Sequence, residues 1–365
     1  MTKPNGANER IKHQYFDYLE QAMGRDTATI DGVAKSLARF EESTGARDFK
    51  RFHREQAKSF KAKLAKALNV RTGERISKAT MLSTLRDLRA FFFWLAHLPG
   101  FKSHIAYADA DYFNLSDKDV SIARAKREKR VPTLAQVHRV LDAMPADTVL
   151  ERRDQALVAF AALTGARVGA LASFRLEHVN IEEGYVEQDA RTVRTKFAKT
   201  FRTYFKPIGG DALAIFNAWV AELERDHGWG GDDPLFPPTQ TGLDENGCFY
   251  AAGLSRSGWS TTQPINAIFR RAFAAAGLAY YNPHSFRDML VRHWHSLNLT
   301  VEGFKAWSQN LGHTDMLTTL TSYSHIPTHR QGELIRAAGA PHALAVDPDA
   351  VILARALLAC RSLGE

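Results

Sequence analysis

Residues 122–132, IARAKREKRVP, crowd Arg124, Lys126, Arg127, Lys129 and Arg130 into a short span that ends at Pro132. So many like charges cannot share a hydrophobic interior, and the proline interrupts a continuous helix. The run therefore divides whatever core the chain builds, and 365 residues are enough for two. The sequence predicts a helical first domain over 1–121, a basic linker over 122–132, a second domain over 133–335, and a tail helix over 336–365. A plain flexible connection is one reading of the linker; a segment that follows phosphates is the other, and the charge favours it.

Upstream of the run, residues 10–110 read as helical. SKATMLSTLRDLRAFFFWLAHLPG (77–100) opens with Ser77 as N-cap, sets Leu82, Leu85, Leu88, Phe92 and Leu95 on one face, and stops at Pro99-Gly100. Its other face shows Lys78, Arg86 and Arg89, and KRFHREQAKSFKAKLAKAL (50–68) adds a second basic helix. Up to Val131 there are 26 Lys and Arg against 16 Asp and Glu; beyond it there are 22 against 24. Positive charge gathered in one third of a chain suits an anionic polymer such as DNA, whose condensed counterions are released on binding.

Downstream the periodicity mixes. ERRDQALVAFAALTGARVGALASF reads as helix, turn and helix; GYVEQ, TVRTKF and RTYFKPI as short strands; PINAIFRRAFAAAGL as helix. HGWGGDDPLFPPTQTGLDENG (227–247), rich in Gly, Pro and Asp, reads as a long surface loop. The expected fold is thus an all-α domain followed by a mainly α (α+β) domain with a small antiparallel sheet. The N-terminus is polar and no apolar run approaches twenty residues, so a cytoplasmic protein without signal peptide or membrane span is expected. Cys248 and Cys360 lack CxxC spacing, which argues for reduced thiols and against a disulfide or thiolate zinc site.

Four segments carry the residue types that phosphate chemistry needs: TGAR (164–167), RTKFAK (194–199), HSFR (284–287), and LGH (311–313) with the downstream Tyr323. Each alone is a weak signal. In this order and context they resemble the catalytic domain of the tyrosine recombinases, the phage integrase family, over roughly residues 135–330; the basic helices upstream are similar to the family's core-binding (SAM-like) domain. Carried over by position, Arg167 matches the first arginine, Lys196 the hairpin lysine, His284 and Arg287 the HxxR box, His313 the LGH histidine and Tyr323 the nucleophile. The resemblance implies a 3′-phosphotyrosyl enzyme with a free 5′ hydroxyl and no need for cofactor, ATP or metal. Its partner would be double-stranded DNA, with a homotetramer on DNA and a monomer or weak oligomer off it.

The chemistry makes the set sensible. A free tyrosine hydroxyl has a pKa near 10, so Tyr323 needs a base or a positive pocket to attack. Arg167 and Arg287 offer forked, permanently charged donors to the developing oxyanion. His284 is suited to the tyrosine proton, His313 to a further phosphate contact, and Lys196 to protonating the leaving 5′ oxygen, with Lys199 as its rival.

Three positions depart from the family pattern. Ala170 stands where an acidic residue is common, Asp288 follows the second arginine where histidine is frequent, and the interval from His313 to Tyr323 is one residue longer than usual. A type IB topoisomerase, a non-catalytic architectural DNA-binding protein, and a histidine metalloenzyme using His293, His295, His325 and His329 remain as alternatives. Pro327 speaks against the last two histidines sharing one helix face. The tail stretch DPDAVILARALLACRSL has helical spacing and could pack on its own domain or on a neighbouring copy.

Overall fold

The computed structural model describes residues 4–70, 72–125, 129–294, 297 and 300–313. The chain divides into two compact units, Met1–Arg127 and Glu128–Glu365, with separate hydrophobic cores.

The first unit is helical: α1 (Gly6–Asp17), α2 (Thr27–Thr44), α3 (Arg54–Lys66), α4 (Lys78–His97) and α5 (Asp117–Arg124). Ser77 caps α4 by accepting from Thr80 N at 3.1 Å, as the sequence predicts. Of the five apolar residues expected on its inner face, Leu85, Leu88, Phe92 and Leu95 are buried. Leu82 is only half-buried, and Met81 and Phe91 fill the stripe instead. Phe92 stacks on Phe52 with centroids 3.7 Å apart, and Phe40 meets Phe52, Phe60, Phe92 and Phe113 edge-on. Each such ring contributes roughly 1.5–3 kcal/mol of burial. A polar node ties α1 to α2: buried Asn8 donates to Glu41 Oε1 at 3.0 Å, and Lys12 Nζ donates to the other Glu41 oxygen at 2.6 Å.

The second unit runs α6 (Leu134–Ala143), α7 (Val149–Thr164), α8 (Val168–Leu171), β1 (Val179–Asn180), β2 (Tyr185–Gln188), β3 (Phe201–Tyr204), α9 (Ala212–Arg225), β4 (Thr239–Leu243), β5 (Phe249–Leu254), α10 (Gln263–Ala275), α11 (Pro283–Trp294) and α12 (Val301–Asn310). Capping boxes, Thr133 with Gln136 and Thr148 with Glu151, start α6 and α7. From Ala156 to Thr164 every residue of α7 is buried, so this helix is the axis of the core. Strands β1, β2 and β3 form an antiparallel sheet in sequence order, with Val186 opposite Thr203.

Two expectations are corrected. TVRTKF is not a strand: residues 196–198 form a tight turn in which Phe197 and Ala198 take φ of 63° and 48°, a left-handed path no ladder can follow. The stretch 227–247 is not simply a surface loop. It buries Leu235 and Phe236 and then enters the hairpin of β4 and β5. Three polar contacts fix it: Trp219 Nε1 donates to Leu235 O at 2.9 Å, Trp259 Nε1 to Phe236 O at 2.6 Å, and buried Arg153 to Pro237 O at 2.8 Å. Among the described residues no helix is long and apolar enough to cross a membrane.

Candidate active site

Helix α7 ends where the site begins. Gly165 takes φ +64°, which closes the helix with a left-handed cap and delivers Arg167 to the position just before α8. A side chain at Gly165 would meet Leu290 Cδ1 at 2.9 Å and Leu311 Cδ2 at 3.2 Å, so the turn is also pressed against its neighbours. Gly312 is the counterpart on the other side. Its φ is +68°, and a Cβ there would run into the Phe201 ring.

Arg287, on α11, joins these two turns. It is 2% exposed and donates to Gly165 O at 3.0 Å, to Leu311 O, and to His313 Nε2 at 2.9 Å. Guanidinium has no acceptor, so Nε2 of His313 accepts here and the ring proton lies on Nδ1. Burial first, then the charges of Arg287, Arg167 and Lys199, push the His313 imidazolium down to about 3, so the ring is neutral at physiological pH. His284 keeps an exposed edge near the start of α11. Desolvation on its protein side lowers its pKa, Asp288 pulls the other way, and Lys129, Arg287 and Arg167 add to the lowering. Asp288, buried, lies 3.4 Å from Lys129 Nζ. Ala170 is buried in the core.

TGAR, HSFR and LGH thus meet around one guanidinium. The lysines differ. Lys196 is exposed on the turn, with its ammonium 4.7 Å from the Phe197 ring centroid. Lys199 is half-buried, and its charge bears on His313. Tyr323, His325, His329 and the predicted tail helix lie outside the described residues, as do Lys126 and Arg127. Of the remaining basic candidates, Lys78 pairs with Asp119 at 2.8 Å, and Arg89 with Asp111 at 2.8 Å. Arg86, Arg124 and Arg130 are exposed. Among the described residues no three His, Cys, Asp or Glu side chains converge as a metal-ligand set.

Two residues at the site escape sequence reasoning. Asn310 precedes the LGH turn and pairs with the free edge of β3: its Oδ1 accepts from Tyr204 N at 2.6 Å and its Nδ2 donates to Tyr204 O at 2.9 Å. It therefore acts as one more strand residue and fixes the end of α12 against the sheet. Lys206, just past β3, is 3% exposed and donates from Nζ to Thr164 O at 3.1 Å. The Asn just before LGH could have drawn notice; the lysine gives no pattern to read.

The geometry offers concentrated positive charge, donors held on helix and turn, and a neutral imidazole around one guanidinium, which is what a phosphodiester in transit to a more highly charged state requires. The XerC tyrosine recombinase of Xylella fastidiosa (strain M23) is 22% identical over 326 residues, covering 87% of this chain and 92% of that one. XerD of Vibrio vulnificus (strain YJ016) is 21% identical over 260 residues, covering 70% and 72%. A lambda integrase(75-356) dimer bound to a COC′ core site shares the fold, with a TM-score of 0.58 at 14% identity over 87% of this chain and 95% of that one. XerH in a post-cleavage complex with palindromic difH substrate does so with 0.56 at 16% identity, over 90% and 84%. The model of the phage integrase family matches residues 130–330, more than half of the chain and a stretch that includes TGAR, HSFR and LGH, so the protein belongs to the phage integrase family of tyrosine recombinases.

Proposed function

We propose that this protein is a site-specific DNA recombinase that cleaves and rejoins strands through a 3′-phosphotyrosyl intermediate on Tyr323. The observation that carries the reading is the Arg287 guanidinium, whose three contacts bring the TGAR and LGH turns to one point on α11.

In the reaction, Tyr323 Oη attacks the scissile phosphorus and the bond to the 5′ oxygen breaks. The tyrosine proton passes to His284, whose lowered pKa keeps the ring neutral and ready to accept it. Arg167 and Arg287 hold the non-bridging oxygens as their charge grows, and one such donor is typically worth about 10²–10³ in rate. His313, neutral, contributes an N–H to the phosphate. The leaving 5′ oxygen takes its proton from Lys196 on the exposed turn, with Lys199 as the rival. The phosphotyrosyl linkage conserves the phosphodiester's energy, so attack by a 5′ hydroxyl reverses the steps and rejoins a strand without nucleotide hydrolysis.

The basic first unit and the linker cations, Arg124, Lys126, Arg127, Lys129 and Arg130, together with Arg86, suit contacts to the duplex backbone. Lys78 and Arg89 would first leave their aspartates. A lambda integrase tetramer has been solved on a Holliday junction, with a TM-score of 0.56 to this chain; a homotetramer on DNA is the corresponding assembly here.

The test is covalent capture. Wild type and Tyr323→Phe are incubated with fragmented DNA of the source genome and EDTA, denatured, and the protein-linked strands isolated. A wild-type adduct absent from the variant is expected. Retained binding with no adduct would move the reading to an architectural DNA-binding protein.

A further inference from the structure

Lys206 is a buried cation that the chemistry above leaves unused and that no carboxylate among the described residues partners. Its backbone N–H donates to Leu163 O at 2.9 Å and its ammonium to Thr164 O at 3.1 Å, so both ends of the residue hold the C-terminal end of α7. The next carbonyl along, that of Gly165, accepts from Arg287. The Trp307 ring of α12 lies 5.6 Å from the ammonium. No carboxylate pairs with Lys206 among the described residues; the charged group that bears on it is Arg287, while α7 offers a carbonyl and α12 an aromatic face. A lysine held dry beside an arginine, without a counter-ion, opposes folding. A methionine of similar length would fill the same space without that opposition.

We propose that Lys206 is a positioning residue for strand cleavage: anchored on the Thr164 carbonyl behind Arg287, it fixes the turn that carries Arg167 and adds its charge to the pair that grips the phosphate. This rests on the recombinase reading given above. Burial, reinforced by Arg287, brings the Lys206 ammonium down to about 7, so its charge responds to the local field near physiological pH. A phosphate arriving at Arg287 offsets the repulsion and favours the protonated form. Lys206 thereby takes up a proton as DNA binds, and the site gains positive charge when the transition state needs it.

The experiment uses the full chain and a nicked duplex of the captured target sequence. Wild type and Lys206→Met are compared for DNA affinity and for single-turnover cleavage from about pH 6 to pH 9. The expected variant binds DNA more weakly toward the acid end, because it cannot take up the proton, and at saturating DNA it cleaves slower there by on the order of tenfold or more, as misplacement of a reacting group implies. The ratio of the two rates should shrink as pH rises and wild-type Lys206 loses its proton. A variant that cleaves at the wild-type rate, or lags by a ratio constant with pH, overturns the proposal while leaving the recombinase reading intact. A wild type that forms no adduct overturns both. Should the methionine variant not fold, NMR of wild-type protein with isotopically labelled lysine asks the same question. A Lys206 midpoint that rises on addition of inorganic phosphate supports the proposal, and one that phosphate leaves unmoved overturns it.

Discussion

Arg287 decides the state of His313 before any substrate arrives. By donating to Nε2 it fixes the tautomer, and together with burial it keeps the imidazole neutral. This has a consequence for stability. The unfolded chain protonates this histidine near pH 6.5, whereas the folded chain does so only near about 3. Between those values the unfolded state binds more protons, so His313 favours folding above the window and that contribution is lost as pH falls through it. Melting temperatures of wild type and His313→Gln between about pH 7 and pH 4 should therefore fall less steeply for the variant; parallel curves would show that His313 is not held neutral. At this scale the motif residues Arg167, His284, Arg287 and His313 are legible because each sits in a short context whose order along the chain is informative. Lys206 is not, since a lone lysine before a proline says nothing until the fold brings it beside Thr164; Asn310, the last residue of α12, is marked only by its place before LGH, and its pairing with Tyr204 shows only in the fold.

The elements show what periodicity reads and what it misses. Helix α4 announces itself through the Ser77 cap and its apolar spacing, and α7 through its apolar run, while the Thr133 and Thr148 caps of α6 and α7 come from the structure. The turn after β2 does not. TVRTKF alternates like a strand, but it lies beyond the last β2–β3 pair, Gln188 with Phe201, and Phe197 and Ala198 adopt left-handed backbone, with Lys196 exposed and Lys199 half-buried. The hairpin of β4 and β5 was equally hidden, because most of its residues are exposed and carry no inside-out alternation. The turn invites a direct comparison of its two lysines. Lys196→Ala should cut the release of the 5′ strand by about 10²-fold or more, within the usual range for a general acid, with Lys199→Ala losing less. A substrate with a 5′-bridging phosphorothiolate, whose leaving group needs no proton, should restore the Lys196→Ala rate. If only Lys199→Ala is rescued, the acid is Lys199, the lysine whose charge already reaches His313.

On the scale of the whole molecule, charge and chemistry occupy different units. The excess of Lys and Arg lies before Val131, while every candidate catalytic residue lies after it. The core of the first unit ends at Phe113 among fully buried residues and that of the second begins at Val137, so neither borrows its interior from the other. The sequence announced this division through the basic run before Pro132, since a crowd of cations can cross between cores but not through one. A fragment comprising residues 128–365 is therefore expected to unfold cooperatively and to bind DNA more weakly than the full chain. The loss should be electrostatic in kind. Each phosphate contact adds roughly 0.9 to the slope of log affinity against log salt on B-DNA, and removing the first unit removes its contacts from that slope. Measured between about 50 and 200 mM salt, the fragment's slope should be shallower than that of the intact protein, with the two affinities converging as salt rises. Equal slopes would mean that the basic helices, Arg86 among them, do not lie on the duplex, and that the positive charge of the first unit serves another purpose.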